Sequence, residues 1–344
     1  MTKPDISIIL PVYNVKNYLQ EALDSAINQT LNNIEIICVD DCSTDGSLAI
    51  LEEYANKDSR IKIIRQKQNM GEVVAKYTGA KIAKADYIAT IDPDDWVQPK
   101  TYEVMLKKAL EVDADVVVCN FHIIDEEGNL LNKWDVVDER MSKNDKYLDE
   151  TNIIQINPAT INKIIKKELY LNALNFTDRD VWKDMLQYWR CYTNKHCRAV
   201  FITDHFYMYR IRHDSITNTP ISCKLHFKYF CKTIDLRLKY LLENNSYTRY
   251  KSVFWKPVFR WKDCFEKAYN VKEIIKIAKK YKIDKKDYSI LLKNEDNNIQ
   301  TIFSLKNKYS NNKKYKVLTI FGTKIKFKIS KKRKRKQKGG KNPE

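Results

Sequence analysis

The stretch ATIDPDDWV, residues 89–97, decides how this chain is read. A run of small and apolar residues, shaped like a buried strand, ends in three carboxylates within four positions, Asp92, Asp94 and Asp95. Like charges this close repel one another, and in a partly dry site the cost reaches several kcal/mol unless protons or a shared cation relieve it. Strand pleating sets Asp92 and Asp94 on one side, where both can reach a single hard divalent cation. Pro93 and Trp96 stiffen the turn around them. The competing account for Asp94 is a turn or helix cap.

Upstream, apolar strands and amphipathic helices alternate. Ile6–Val12, Ile34–Val39, Ile61–Arg65 and Tyr87–Ile91 read as strands. Helices are expected over Tyr18–Asn28, Leu48–Lys57 and Glu72–Ala83. A fourth helix, Thr101–Val112, leads to a fifth strand at Val116–Asn120. This rhythm gives βαβ units and a mostly parallel sheet, an α/β fold. Ligands of such sheets bind beyond the carboxyl ends of the strands. Three of those ends are polar: Pro11-Val12-Tyr13-Asn14, Asp40-Asp41 and Asp92–Asp95. Further along, Phe121–Lys133 reads as a hairpin around Glu127-Gly128-Asn129, Asp180–Tyr192 as a helix and Phe206–Arg212 as a strand.

Charge divides the 344 residues. Residues 1–221 carry 27 Lys+Arg against 34 Asp+Glu, whereas residues 222–344 carry 35 against 10. A basic C-terminal third implies an anionic partner, lipid or nucleic acid. Phe227, Phe230, Cys231, Ile234, Leu238, Leu241 and Leu242 form an apolar stripe flanked by lysines. Lysines and arginines beside Trp255, Phe259 and Trp261 suit an interfacial helix. Val317–Phe321 and Ile325–Ile329 suggest a hairpin about Gly322, and KKRKRKQKGGKNPE reads as a disordered tail suited to anionic headgroups. The divisions are therefore 1–221, a basic and mainly helical 222–330, and 331–344. The eight cysteines hold no CxxC pair and indicate a reducing compartment. Cys191, His196 and Cys197 match no zinc spacing. MTKPDISIILPVYN has no small-residue cleavage site, so no leader is expected, and no window reaches 18 apolar residues.

The ordered blocks ISIILPVYN, EIICVDDCSTDGS, QNMGEVVAKYTGAKIAKADYIATIDPDDW and YRIRHDSITN resemble the inverting family 2 glycosyltransferases of the GT-A fold, over roughly residues 4–220. Those bacterial enzymes build capsules and lipooligosaccharides. The resemblance implies a Rossmann-like sheet flanked by helices, with the basic helical region as an extension. It implies that Pro11, Val12 and Tyr13 line the nucleotide base, that Asp40 bonds the uracil edge, and that Asn69, Lys76 and Pro93 lie on the donor side. Asp92 and Asp94 become the DxD pair holding Mn²⁺ or Mg²⁺, with Asp94 on the metal, Asp92 near the ribose and Asp95 beside them. Asp184 becomes the base that deprotonates the acceptor hydroxyl, with Asp180 as its rival. Arg210, Arg212 and His213 fall where the family closes over donor or acceptor. The chain departs from the family pattern at Lys76, where Arg is usual, at Tyr77, where Asn is common, and at Lys183, where Glu precedes the base.

The resemblance implies a UDP-sugar donor and a saccharide acceptor, free or lipid-linked, and the basic third adds peripheral contact with an anionic membrane, a cytoplasmic location and no nucleic acid. A phosphatase DxDxT site is excluded by Trp96, and a nucleotidyltransferase by the lack of an N-terminal Gly-rich loop. The remaining alternative is a non-catalytic binder of anionic surfaces. It leaves the acidic rim unexplained, because that rim repels phosphate unless a cation is present.

Overall fold

The computed structural model describes residues 2–134, 160–173, 183–193, 197–212, 223–260 and 270–289, and the strands at 303–310, 313–320 and 323–328. Four strands open the chain: β1 (Ile6–Val12), β2 (Ile34–Asp40), β3 (Ile61–Arg65) and β4 (Tyr87–Thr90). They pair in parallel in the order β3-β2-β1-β4, with Ile8 opposite Ile36 and Ala89. Each crossover carries a helix: α1 (Leu19–Ile27), α2 (Ser47–Lys57) and α3 (Glu72–Ile82). Alternation along β1 sends Ile9 to one face and Ile8 and Leu10 to the other, so each face of the sheet has its own core.

Beyond β4 the sheet is mixed rather than mostly parallel. The order continues through β8 (Lys163–Lys166), β6 (Val116–Ile124), β9 (Ala199–Arg210) and β5 (Trp96–Val97), with β7 (Leu130–Trp134) as a hairpin partner of β6. Strand β8 is antiparallel to both neighbours, whereas β6 and β9 are parallel. The β6–β7 pairing is the hairpin expected around Gly128.

Helix α1 and α4 (Thr101–Glu111) cover one face. Helix α4 buries Tyr102, Met105, Leu106 and Ala109 and leaves Leu110 exposed. Helix α3 covers the other face and approaches β1 closely. A Cβ on Gly79 would lie 2.6 Å from Ile9 Cγ2, so only glycine fits there. The same face receives α5 (Lys167–Asn172), α6 (Lys183–Tyr192), α7 (Cys223–Glu243), α8 (Tyr247–Arg260) and α9 (Val271–Lys280). The α7 stripe Phe227, Phe230, Ile234, Leu238 and Leu241 is buried in one core with Val116, Val118 and Ile165 of the sheet. One hydrophobic core therefore holds described residues from both sides of the division expected at 221/222.

This packing corrects one expectation. Trp255 is 1% exposed, its indole N–H donating to Tyr247 Oη at 3.1 Å, so it is unavailable to a membrane. Trp261 and the last segment, 331–344, lie outside the described residues. The expected terminal hairpin is present as β11 (Lys313–Ile320) and β12 (Thr323–Lys328). It is joined by β10 (Phe303–Ser310) in a separate three-stranded antiparallel sheet, so region 222–330 is not helical throughout.

Candidate active site

The carboxyl ends of β1, β2 and β4 are adjacent in the sheet, and the loops leaving β1 and β2 are tied together. After β1, Asn14 adopts a left-handed conformation (φ 51°), one that asparagine tolerates. Its Oδ1 accepts the Thr44 N–H at 2.8 Å, and Val15 N–H donates to Ser47 Oγ at 3.1 Å. Pro11 and Val12 are buried, while Tyr13 is exposed above them.

At the end of β2 the two aspartates divide their work. Asp41 turns inward and accepts hydrogen bonds from Gln66 Nε2, Met70 N–H and Gly71 N–H, shaping the loop that carries the exposed Asn69 into α3. Asp40 is fully buried. Its Oδ1 accepts Ser43 N–H at 3.1 Å, but its Oδ2 has no hydrogen-bond partner, and Arg65 Nε lies 3.6 Å away, an ion-pair distance only. A buried carboxylate oxygen without a donor is costly, and a site that keeps one has reason to receive a donor.

The three acids after β4 are held by different partners. Asp95 is buried and faces the protein: its Oδ1 accepts Arg210 N–H at 2.8 Å and its Oδ2 accepts the Tyr207 hydroxyl at 2.8 Å. Tyr207 Oη in turn accepts the Asp92 N–H at 3.1 Å. Burial pushes the Asp95 carboxyl upward, with the neighbouring Asp94 and Asp92 adding to the shift. Asp95 is thus a bracket between the turn and β9. This placement differs from the expectation that it stands beside the pair as a further site residue.

Asp92 and Asp94 keep part of their side chains open, 26% and 20%. Burial raises the Asp92 pKa to about 7, and Lys76 opposes that rise. Burial also raises Asp94, opposed by Arg212, whose Nε lies 2.8 Å from Asp94 Oδ2. Lys76, at 0% exposure, lies beneath the turn rather than in the open cleft. Its ammonium donates to Asp92 Oδ1 at 2.7 Å, and also to Glu72 and Thr160. Arg212 and Arg210 both stand over the Tyr18 ring, at 5.2 and 5.4 Å.

This donor set fits a hard divalent cation in part. Two oxygen donors whose charge is under-compensated favour a cation, yet each already gives one oxygen to a protein cation. Among the described residues no three acidic, histidine or cysteine groups could hold a metal by themselves. The protein would therefore supply one or two ligands and leave the rest to phosphate oxygens and water. Asp184 lies at the second position of α6. Asp180 and His213 fall outside the described residues, as does His196.

Known proteins resemble this chain at two levels. The sequence pattern described as Glycosyl transferase family 2 matches residues 7–172. Glycosyltransferase GlyG of Streptococcus pneumoniae serotype 4 is 34% identical over 222 residues, spanning 62% of this chain and 73% of that relative. The chain belongs to glycosyltransferase family 2. Its fold is shared with Staphylococcus aureus TarS, residues 1–349, solved in complex with UDP-GlcNAc. That match has a TM-score of 0.65 at 20% identity over 82% of each chain. It is also shared with the mannosyltransferase PcManGT of Pyrobaculum calidifontis, solved with GDP-Man and Mn²⁺. There the TM-score is 0.52 at 14% identity, over 85% of this chain and 84% of that one. The GT-A fold and glycosyl transfer are thereby settled, and the non-catalytic reading falls away.

Several residues that shape this family 2 site carry no signal in the sequence reading. Tyr207, Thr160 and Glu72 hold the turn and Lys76, but they reach them across 115, 84 and 4 positions of chain. Only the Glu72–Lys76 pair, one helical turn apart, could have been found by spacing.

Proposed function

We propose that this glycosyltransferase moves a hexose or N-acetylhexosamine from a UDP-sugar to a saccharide hydroxyl, with inversion and dependence on Mn²⁺ or Mg²⁺. The observation that carries the reading is the buried, donor-less Asp40 Oδ2 at the end of β2, two strands from the half-open Asp92 and Asp94 at the end of β4. One free acceptor matches the single imide N–H of uracil, with Pro11, Val12 and Tyr13 beside the base and Asn69 on the same side. A divalent cation held by Asp94, with Asp92 toward the ribose, would neutralise charge building on the departing diphosphate. Lys76 keeps Asp92 oriented, and Arg212 supplies positive charge at the same corner.

Asp184, at the start of α6, serves as general base. The acceptor oxygen attacks the anomeric carbon from the face opposite the diphosphate, its proton passes to the Asp184 carboxylate, and the bond to the diphosphate breaks to release UDP. The acceptor is a growing bacterial surface glycan such as capsule or lipooligosaccharide, free or lipid-linked.

Contact with anionic membrane at its cytoplasmic face follows from the basic C-terminal third. The strands β10–β12 alone carry Lys306, Lys308, Lys313, Lys314, Lys316, Lys324, Lys326 and Lys328. Among the described residues no helix is long and apolar enough to cross a membrane.

A panel of nucleotide sugars tested for Mn²⁺-dependent turnover examines the reaction. UDP-sugars are expected to be consumed, and Asp184→Asn and Asp94→Ala to be inactive. Wild-type rates in both variants would defeat the site assignment. Flotation with vesicles containing phosphatidylserine is expected to carry the protein upward, and neutral vesicles to leave it behind. Equal behaviour with both would defeat the membrane reading.

A further inference from the structure

Arg210 has a contact set unlike that of a donor-binding arginine. Its side chain is 2% exposed, and all three guanidinium nitrogens are committed. Nε donates to the Asp94 carbonyl at 2.8 Å. Nη1 donates to the carbonyls of Asp125 at 3.2 Å and Glu126 at 2.7 Å, in the β6–β7 turn. Nη2 pairs with Glu21 of α1. The guanidinium also stands over Tyr18, just ahead of α1, and the residue's own N–H closes on Asp95.

One side chain therefore joins three segments that the sheet alone does not fix: α1, the turn after β4, and the β6–β7 turn. Strand β9 grips the β4-end turn at three levels. Tyr207 holds the Asp92 N–H and the Asp95 carboxylate, the Arg210 backbone holds the other Asp95 oxygen, and the Arg210 side chain holds the Asp94 carbonyl. The planar fork of arginine can address acceptors lying in several directions at once, which a lysine ammonium on the same stem cannot reproduce.

We infer that Arg210 is a positioning residue: it fixes the backbone at Asp94, and so the aim of that carboxylate, without touching the donor. This inference rests on the reading of Asp94 as a metal ligand. Loss of a group that orients a ligand in this way weakens metal affinity by roughly ten- to a hundredfold.

The test is calorimetric titration of Mn²⁺ into the full-length protein with UDP present, for wild type, Arg210→Lys and Glu21→Gln, each checked for its melting temperature. Arg210→Lys is expected to raise the Mn²⁺ Kd about ten- to a hundredfold while folding normally. The donor KM at saturating Mn²⁺ is expected to stay near wild type. An unchanged Mn²⁺ Kd in a folded Arg210→Lys protein would overturn the inference. So would a raised donor KM at saturating metal with the Mn²⁺ Kd unchanged, because that is the mark of direct donor contact. If Arg210→Lys does not fold, Glu21→Gln decides. It removes the counter-charge from one arm of the guanidinium, and a weakened Mn²⁺ Kd supports the inference whereas an unchanged one removes it. Failure of the underlying reading looks different: wild-type protein would itself show no Mn²⁺ binding in the presence of UDP.

Discussion

Replacing Lys76 with methionine removes a charge while nearly preserving the length and flexibility of the side chain. Lys76 is fully enclosed, and its ammonium contacts Asp92 at 2.7 Å as well as Glu72 and Thr160. The three partners lose unequally. Glu72 is half exposed and can turn its charge to water, so its share is about 0.5 kcal/mol or less. Thr160 loses a donor but keeps a hydroxyl that can turn. At pH well above 7 Asp92 bears most of the cost, because its ionised carboxylate stays partly buried near Asp94 with no counter-ion, whereas at lower pH it takes up a proton instead. Breaking a buried ion pair from one side costs roughly 3–5 kcal/mol. For a protein of this size that lowers the melting temperature by roughly 10 °C. The assay is thermal and denaturant unfolding of Lys76→Met, Asp92→Asn and the double variant. The double variant retains no unpaired buried charge, so it should recover about 2 kcal/mol relative to the sum of the single losses. A Lys76→Met loss below about 1 kcal/mol, the range of exposed pairs, would refute the reasoning, as would strict additivity.

Two further outcomes follow from the same geometry. Asp92 titrates at about 7 in the folded protein against an ordinary 3.8, so folding holds its proton more tightly. Its contribution to stability is therefore greatest in acid and is lost as pH rises through that window, while cation binding must displace the proton. The Mn²⁺ affinity measured with UDP should rise up to about tenfold per pH unit below 7 and level off above it; a flat profile from pH 5.5 to 8 would contradict this. Gly79→Ala would force a Cβ to within 2.6 Å of Ile9 Cγ2, at a site where Ile9 is buried and cannot yield. Overpacking should outweigh the better helix propensity of alanine and cost about 1–2 kcal/mol in denaturant unfolding, with α3 and Lys76 displaced from Asp92.

The half of the fold built from local contacts was legible in the sequence. Strands β1 to β4 are short apolar runs separated by helices, and parallel order follows from that rhythm. Strand β8 was not legible, because Lys163-Ile164-Ile165-Lys166 is too short for a period and becomes a strand only by pairing between β4 and β6. The two-residue β5 exists only because Trp96 and Val97 meet Met208 and Tyr207. In the site, the acid-rich end of β4 announced itself through charge density. The division of labour within it did not, since Asp95 is turned inward by Tyr207 and by the Arg210 N–H, both more than a hundred residues away. The burial of Lys76 was hidden for the same reason: its enclosure depends on Thr160 and Asp92 closing over a helix position that looks ordinary in one dimension. Trp255, next to lysines in the sequence, reads as a surface residue, and packing against Tyr247, Phe254 and Tyr288 buries it instead.

Whether Asp94 clamps a divalent cation against the diphosphate of a uridine nucleotide is tested most directly by calorimetric titration of UDP. Tight binding to wild-type protein in Mn²⁺, lost both in EDTA and in Asp94→Ala, is the predicted result. Binding of UDP with equal affinity in EDTA, or to Asp94→Ala in Mn²⁺, would contradict it.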